Sequence, residues 1–312
     1  MKAPIKLGLF GAGLVALFFA SFAAAGAFVP AGASAAWLEQ ADGSRMDHGT
    51  DSTEDAGSAA PVPGLSVEQD GYQLRELTAP RELGRNGTLS FRLTGPGGGA
   101  VTEYDTAHEK DLHLIVVRSD GAQFRHVHPS NDGDGYWSLP WEWDAAGSYR
   151  LFADFVPTTL GADITLTSTV SVAGELAPVP TPEDNAVATI GEYLVELNGE
   201  LRPGAASDLS FTVTRDGAPV TTLEPYLGAF GHLVALREGD LGYLHVHPMG
   251  EPGDGKAEPG PEIDFMAEAP TDGKYFLYLD FKVNAEVHTA QFAVTATSQE
   301  ESEHSDAGNS GH

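Results

Sequence analysis

At 312 residues the chain has room for two ordinary domains with flanking segments. It contains no cysteine, which removes disulfides, thiolate metal sites and cysteine nucleophiles together, so any metal must be held by nitrogen and oxygen. A formal net charge of -28 argues against nucleic-acid binding and against adhesion to anionic lipid, and favours cations and a well-solvated acidic surface.

The N-terminus places Lys2 and Lys6 before an uncharged run from Leu7 to Val29. That run is longer than a signal-peptide core and long enough to span a bilayer, so residues 1–29 are expected to form a transmembrane anchor. Ala33-Ser34-Ala35 supplies a small-x-small cleavage site for the alternative, a removed signal peptide. Under either reading the lysines stay inside and the remainder is exported. Residues 30–64 are rich in Ala, Gly, Ser, Pro and acids, without periodicity, and read as a flexible tether. Within it, Met46-Asp47-His48 offers groups that suit loose copper capture, against the simpler reading of a polar linker. The tail, 298–312, has the same disordered composition, with His304 and His312 in it.

Between these tails the chain repeats itself over 65–174 and 187–297. Leu89-Ser90-Phe91-Arg92-Leu93-Thr94 matches Leu209-Ser210-Phe211-Thr212-Val213-Thr214, and Tyr149 to Phe155 matches Tyr275 to Phe281. Short alternating strands, regular turn signals and no amphipathic helix predict an all-β protein of two tandem immunoglobulin-like sandwiches. Residues 175–186, with Pro178, Pro180 and Pro182, form a stiff linker between them.

One histidine pattern occurs in both copies. His113 is followed thirteen residues later by His126-Val127-His128-Pro129, and His232 at the same distance by His245-Val246-His247-Pro248. The intervening residues read as β-hairpins with two-residue loops, Asp120-Gly121 in the first copy and Gly239-Asp240 in the second. That register sets Ile115 opposite His126 and His113 opposite His128, and likewise Val234 opposite His245 and His232 opposite His247. Residues two apart on a strand share a face and opposed side chains lie about 5 Å apart at Cβ, so three imidazoles converge in each repeat. Three nitrogen ligands on a sheet suit Cu(II) or Zn(II). The alternative is that the histidines are hydrogen-bonded core residues of a structural or partner-binding module. Asp154 and Asp280 interrupt equivalent apolar strands, and each is read as a fourth ligand, as a group orienting an imidazole, or as a structural ion pair or hydrogen bond. His108, Asp111 and His288 lack counterparts and are read as peripheral.

His126-x-His128-x-x-x-Asp132 and His245-x-His247-x-x-x-Glu251 loosely match the first metal motif of cupins. Pro129 and Pro248 end each strand directly after the second histidine, however, which throws the acid into a loop. No nucleophile elbow, phosphate loop or dinucleotide fingerprint occurs. Catalysis is therefore not expected, and a cupin-like metalloenzyme ranks third.

Tyr104 to Pro129, containing the run Asp111 to Arg118, and Pro225-Tyr226-Leu227-Gly228 through Gly231-His232-Leu233-Val234-Ala235-Leu236-Arg237 to His247-Pro248, resemble a group of uncharacterised exported proteins from actinobacteria, sometimes with a loose heavy-metal association. The resemblance implies a membrane-attached exported protein with a link to metal. The combined expectation is an extracytoplasmic binder, buffer or carrier of copper or zinc. Its ligands are His113, His126 and His128 in one repeat and His232, His245 and His247 in the other, and its protein partner is unknown.

Overall fold

The computed structural model describes residues 64–298 except His245. The expected anchor, the tether with its Met46-Asp47-His48 and the tail histidines lie outside the described residues. Among the described residues there is no α-helix, and no helix long and apolar enough to cross a membrane.

Each repeat contributes ten strands. In the first repeat they are β1 (Glu68–Gln69), β2 (Tyr72–Thr78), β3 (Gly87–Thr94), β4 (Tyr104–Asp105), β5 (His113–Arg118), β6 (Arg125–Val127), β7 (Ser130–Asn131), β8 (Tyr136–Trp141), β9 (Gly147–Pro157) and β10 (Ile164–Val172). In the second they are β11 (Val187–Ile190), β12 (Tyr193–Asn198), β13 (Ala206–Arg215), β14 (Ala218–Pro219), β15 (Gly231–Arg237), β16 (Tyr243–Leu244), β17 (Val246–Pro248), β18 (Glu262–Glu268), β19 (Gly273–Val283) and β20 (Glu286–Ala296). The first repeat pairs them as β1-β2-β3-β8-β7 and β10-β9-β5-β6, the second as β11-β12-β13-β18-β17 and β16-β15-β19-β20. Two antiparallel sheets in this order, with their middle strands drawn alternately from the chain, are the arrangement of immunoglobulin-like sandwiches.

The alternating strands behave as their patterns dictate. Leu89, Phe91 and Leu93 of β3 point into the first core, and Leu209, Phe211 and Val213 of β13 into the second. Strands β5, β9, β15 and β19 do not alternate, because both of their faces are covered. Leu114 and Val116 face their own sandwich while Ile115 and Val117 face the other repeat. The two sheets β10-β9-β5-β6 and β16-β15-β19-β20 thus enclose a third core, built from Ile115, Val117 and Phe152 on one side and Val234, Leu236, Phe276 and Tyr278 on the other. The Phe124 ring stacks on Tyr278 at 3.9 Å between centroids, and the Tyr278 hydroxyl donates to the Gly121 carbonyl at 2.5 Å.

The hairpin loops differ from the expected two-residue form. Arg118 N donates to Ala122 O and Gly121 N to Arg118 O, closing a loop over Ser119, Asp120 and Gly121. Gln123, at φ 57°, then absorbs one residue, so the register returns to the expected one with Ile115 opposite His126. In the second repeat Arg237 N donates to Gly242 O around a loop from Glu238 to Leu241. Both loops are braced by a bidentate ion pair, Arg118 to Asp120 and Arg237 to Asp240, which fills the turn where a two-residue loop has no room for it. The second hairpin is brief, pairing only Ala235 with Leu244 and Leu236 with Tyr243.

Candidate metal centre

Because strand residues alternate in direction, the face of β5 that carries Ile115 and Val117 toward the second repeat also carries His113. His126 follows from its pairing opposite Ile115. His128 lies just past β6, its Nε2 at 3.2 Å from His113 Nδ1. From the other side β15 presents His232 on the face that carries Val234 and Leu236. The His113 and His232 rings stack at 5.5 Å and 10°, and His126 approaches His232 at 4.6 Å. One ring nitrogen from each of His113, His126 and His232 falls within 4.8 Å of the others.

Of the second expected triad, the described grouping of ring nitrogens takes His232 and not His247. His247 sits on β17, which leaves the hairpin and pairs with β18 in the opposite sheet, with His247 directly across from Met266. On its other side His232 faces Asp280 across β19, as His113 faces Asp154 across β9. The physical reason is the short β15–β16 ladder: once it ends at Leu244, the chain crosses to the other layer of the sandwich. His245 lies outside the described residues. Among the described residues one grouping is present, and both repeats contribute to it.

The surroundings fix which nitrogen of each ring carries hydrogen. His113 Nε2 lies 3.1 Å from the Ala107 carbonyl, which only accepts, so this nitrogen donates and Nδ1 keeps its lone pair. His126 Nδ1 lies 2.9 Å from Asp280 Oδ2 and donates to the carboxylate, leaving Nε2 with the lone pair in the neutral ring. Those two lone-pair nitrogens stand 3.0 Å apart. Neutral rings in these tautomers repel there, and only a cation, either a proton or a metal ion, makes the contact favourable. His232 Nδ1 is buried nearby with no hydrogen-bond partner. Nitrogens ligating one tetrahedral ion at about 2.0–2.1 Å stand about 3.3 Å apart, a spacing that His113 Nδ1 keeps to His126 Nε2 and His128 Nε2, while His232 would have to draw in.

Asp280 is the link between repeats. Its Oδ1 accepts from Thr289 at 2.5 Å and its Oδ2 from His126 of the other repeat, while its side chain is 3% exposed. The same row, histidine to aspartate to threonine across three strands, occurs in the first repeat as His113, Asp154 and Thr165. There Asp154 accepts from Thr165 at 2.7 Å. Burial raises the Asp154 carboxyl to about 6, opposed by that hydrogen bond.

Burial likewise disfavours the charged imidazoles. His113 is lowered to about 3, first by desolvation and then by His126 beside it. His128 is lowered to about 4, again chiefly by desolvation. Desolvation, followed by the His126 and His113 rings, pushes His232 well below its ordinary range. Rings held neutral are rings whose lone pairs are free for a metal.

His108, expected to be peripheral, has its ring 5.7 Å from His232 and 6.0 Å from His113. It has no counterpart in the second repeat, and only its place five residues before His113 hinted at this. Asp111 is tied to Thr106 by a hydrogen bond, and His288 packs against Tyr193, away from the cluster. A cavity of about 70 Å³ opens beside the cluster, lined by His108, Lys110, Asp154, Asp163, His232 and Tyr243 among others. It has room for a few waters and is far below the roughly 300–1,000 Å³ of organic ligand sites.

Fold and site together define an all-β protein of two facing sandwiches with an imidazole cluster between them. The chain belongs to the family described as "Domain of unknown function (DUF8832)", whose model matches it twice, over 66–174 and 188–298. No curated protein matches the chain. Among solved structures it is similar to a Salmonella alpha-2-macroglobulin mutant, at 15% identity over 78% of this chain with a TM-score of 0.23. The chain spans 15% of that protein's length. A putative membrane anchored protein from Corynebacterium diphtheriae matches at 13% identity over 73% of this chain and 59% of its own, TM-score 0.21. Invasin, a bacterial integrin-binding protein, matches at 11% over 73% of this chain and 39% of its own, TM-score 0.23.

Proposed function

We propose that the protein binds a single transition-metal ion, copper or zinc, between its two repeats. The ligands are His113 Nδ1, His126 Nε2 and a nitrogen of His232, with His128 as the adjacent fourth donor. Asp280 orients His126 through its other nitrogen, as carboxylates do behind metal-bound histidines. The observation that carries this reading is the pair of tautomer-fixed lone pairs 3.0 Å apart beside an unpartnered buried imidazole nitrogen. The small adjoining cavity favours holding or transferring the ion over turnover of an organic substrate. The lysine-flanked N-terminal run supports an exported setting, anchored or released, in which the protein buffers or delivers metal. His-Val-His-Pro is the proposed signature of the repeat.

One observation favours a second reading. His126 and Asp280 form a buried pair, and a proton on both His126 nitrogens would let Nε2 donate to His113 without any metal. The protein would then be a structural or partner-binding module with a polar cluster in its core. Metal analysis of the purified chain separates the two. The metal reading expects one equivalent of Cu(II) or Zn(II), lost in His126→Gln and in His232→Gln and kept in His247→Gln. In Asp280→Asn, affinity is expected to fall about 10- to 100-fold with the ion still bound. Equal retention by wild type and His126→Gln would sink it.

A further inference from the structure

The departure of His247 from the hairpin has given it different neighbours. It lies directly opposite Met266 on β18, and such cross-strand partners have Cβ atoms about 5 Å apart. Met249 follows two residues after His247, and its backbone N–H donates to Asp264 O, continuing the same pairing. Strand β18 buries Ile263, Phe265 and Ala267 and turns Glu262, Asp264, Met266 and Glu268 outward. His247 and Met249 are exposed beside them, with Met249 53% and Met266 41% accessible. One imidazole and two thioethers therefore share the outer face of this sheet, framed by carboxylates.

The composition makes this placement unusual. The chain has four methionines and no cysteine, so thioether is its only soft ligand. The other two are Met1 and Met46, so both methionines after residue 64 converge on one histidine. Neither belongs to a core cluster, and Met266 stands in an otherwise acidic outward row. The first repeat shows that the fold does not require them. Phe91 pairs with Trp137 as Phe211 pairs with Ile263, and Ser130 pairs with Ser138 where Met249 bonds Asp264. On that correspondence the positions of His247, Met249 and Met266 are held in the first repeat by His128, Ser130 and Pro140. The histidine is common to both copies, and the sulfur is present only in the second.

We propose that His247, Met249 and Met266 form an exposed Cu(I) site on the outer face of the second repeat, separate from the buried centre. Soft thioether ligands select Cu(I), whereas Zn(II) and Cu(II) favour the nitrogen-rich cluster inside. The surrounding carboxylates draw cations toward this face without supplying the selectivity. The assignment does not rest on the buried centre being a metal site, and the two are distinguished by different variants.

The test is a Cu(I) titration of the full chain under reducing conditions against a chromogenic chelator, in a Met46→Leu background so that the tether's thioether is not counted. Met249→Leu with Met266→Leu exchanges sulfur for carbon at near-constant volume and at exposed positions, so the fold is retained. The double variant and His247→Gln are each expected to lose one Cu(I) equivalent while keeping Zn(II) binding. X-ray absorption of the Cu(I) form is expected to show sulfur scattering that the double variant lacks. Unchanged Cu(I) stoichiometry and affinity in the double variant, or an absence of sulfur scattering in the parent, overturns the site. His126→Gln, which tests the buried centre, leaves this Cu(I) equivalent in place.

Discussion

At the scale of single residues, the titration of the buried rings sets a sign for pH. His113, His128 and His232 are all lowered from 6.5, to about 3, to about 4 and well below the ordinary range. As pH falls through 6.5 the unfolded chain takes up protons that the folded chain refuses, so stability present above that value is lost progressively toward the folded pKa values. Asp154 acts in the opposite direction. Its carboxyl is raised from 3.8 to about 6, so the folded state binds its proton first and gains relative stability between those values. Three lowered imidazoles outweigh one raised carboxyl. With a chelator present to remove metal, urea midpoints are therefore expected to be highest above pH 7 and to fall steadily from pH 6.5 to 4. A midpoint that stays level or rises over that interval would contradict the burial of these rings as neutral groups.

At the scale of elements, the hairpin tip of β5 and β6 packs directly against the second repeat. Gly121 has φ 78°, and a Cβ there would stand 2.7 Å from the Phe276 ring of the second repeat. Gly121→Ala meets both penalties, a left-handed backbone and a collision in a closed core, and is expected to cost about 2 kcal/mol or more in urea denaturation. A loss under 0.5 kcal/mol would show that the tip is free to move away. The sequence carried the hairpins, their register at Ile115 and His126, and the convergence of three histidines in the first repeat. It also carried an unread sign of the third core: His113-Leu114-Ile115-Val116-Val117 and Tyr275-Phe276-Leu277-Tyr278-Leu279 are continuous apolar runs, as strands covered on both faces require. Whether the two repeats face each other and share one site is a question their spacing alone leaves open. The crossing of β17 to the far sheet left no comparable mark, because Val246-His247-Pro248 copies Val127-His128-Pro129 almost residue for residue. What differs is the longer segment that follows, from Met249 to Pro261, which tertiary context alone positions.

At the scale of the whole molecule, duplication has produced matching parts used unequally. Both repeats retain the row of histidine, aspartate and threonine, yet the first supplies His113, His126 and His128 and the second supplies His232 and the Asp280 that holds His126. Neither half holds the complete set. The halves are joined by the exposed, proline-rich segment from Glu175 to Pro182, whose backbone and side chains touch both sandwiches through Val179 with Asp120 and Thr181 with Glu238. A covalent tether of this kind keeps the second set of ligands at an effective concentration of order millimolar around the first. On the proposed metal reading, part of the affinity for an ion is a property of chain continuity, and cutting the chain removes it without touching a ligand. A protease site placed between Leu176 and Ala177 allows this to be measured. After cleavage, uptake of Zn(II) or Cu(II) is expected to depend on the concentration of the halves, and the ion is expected to bring them together on gel filtration. Halves that elute separately with the ion present would mean that they do not share it.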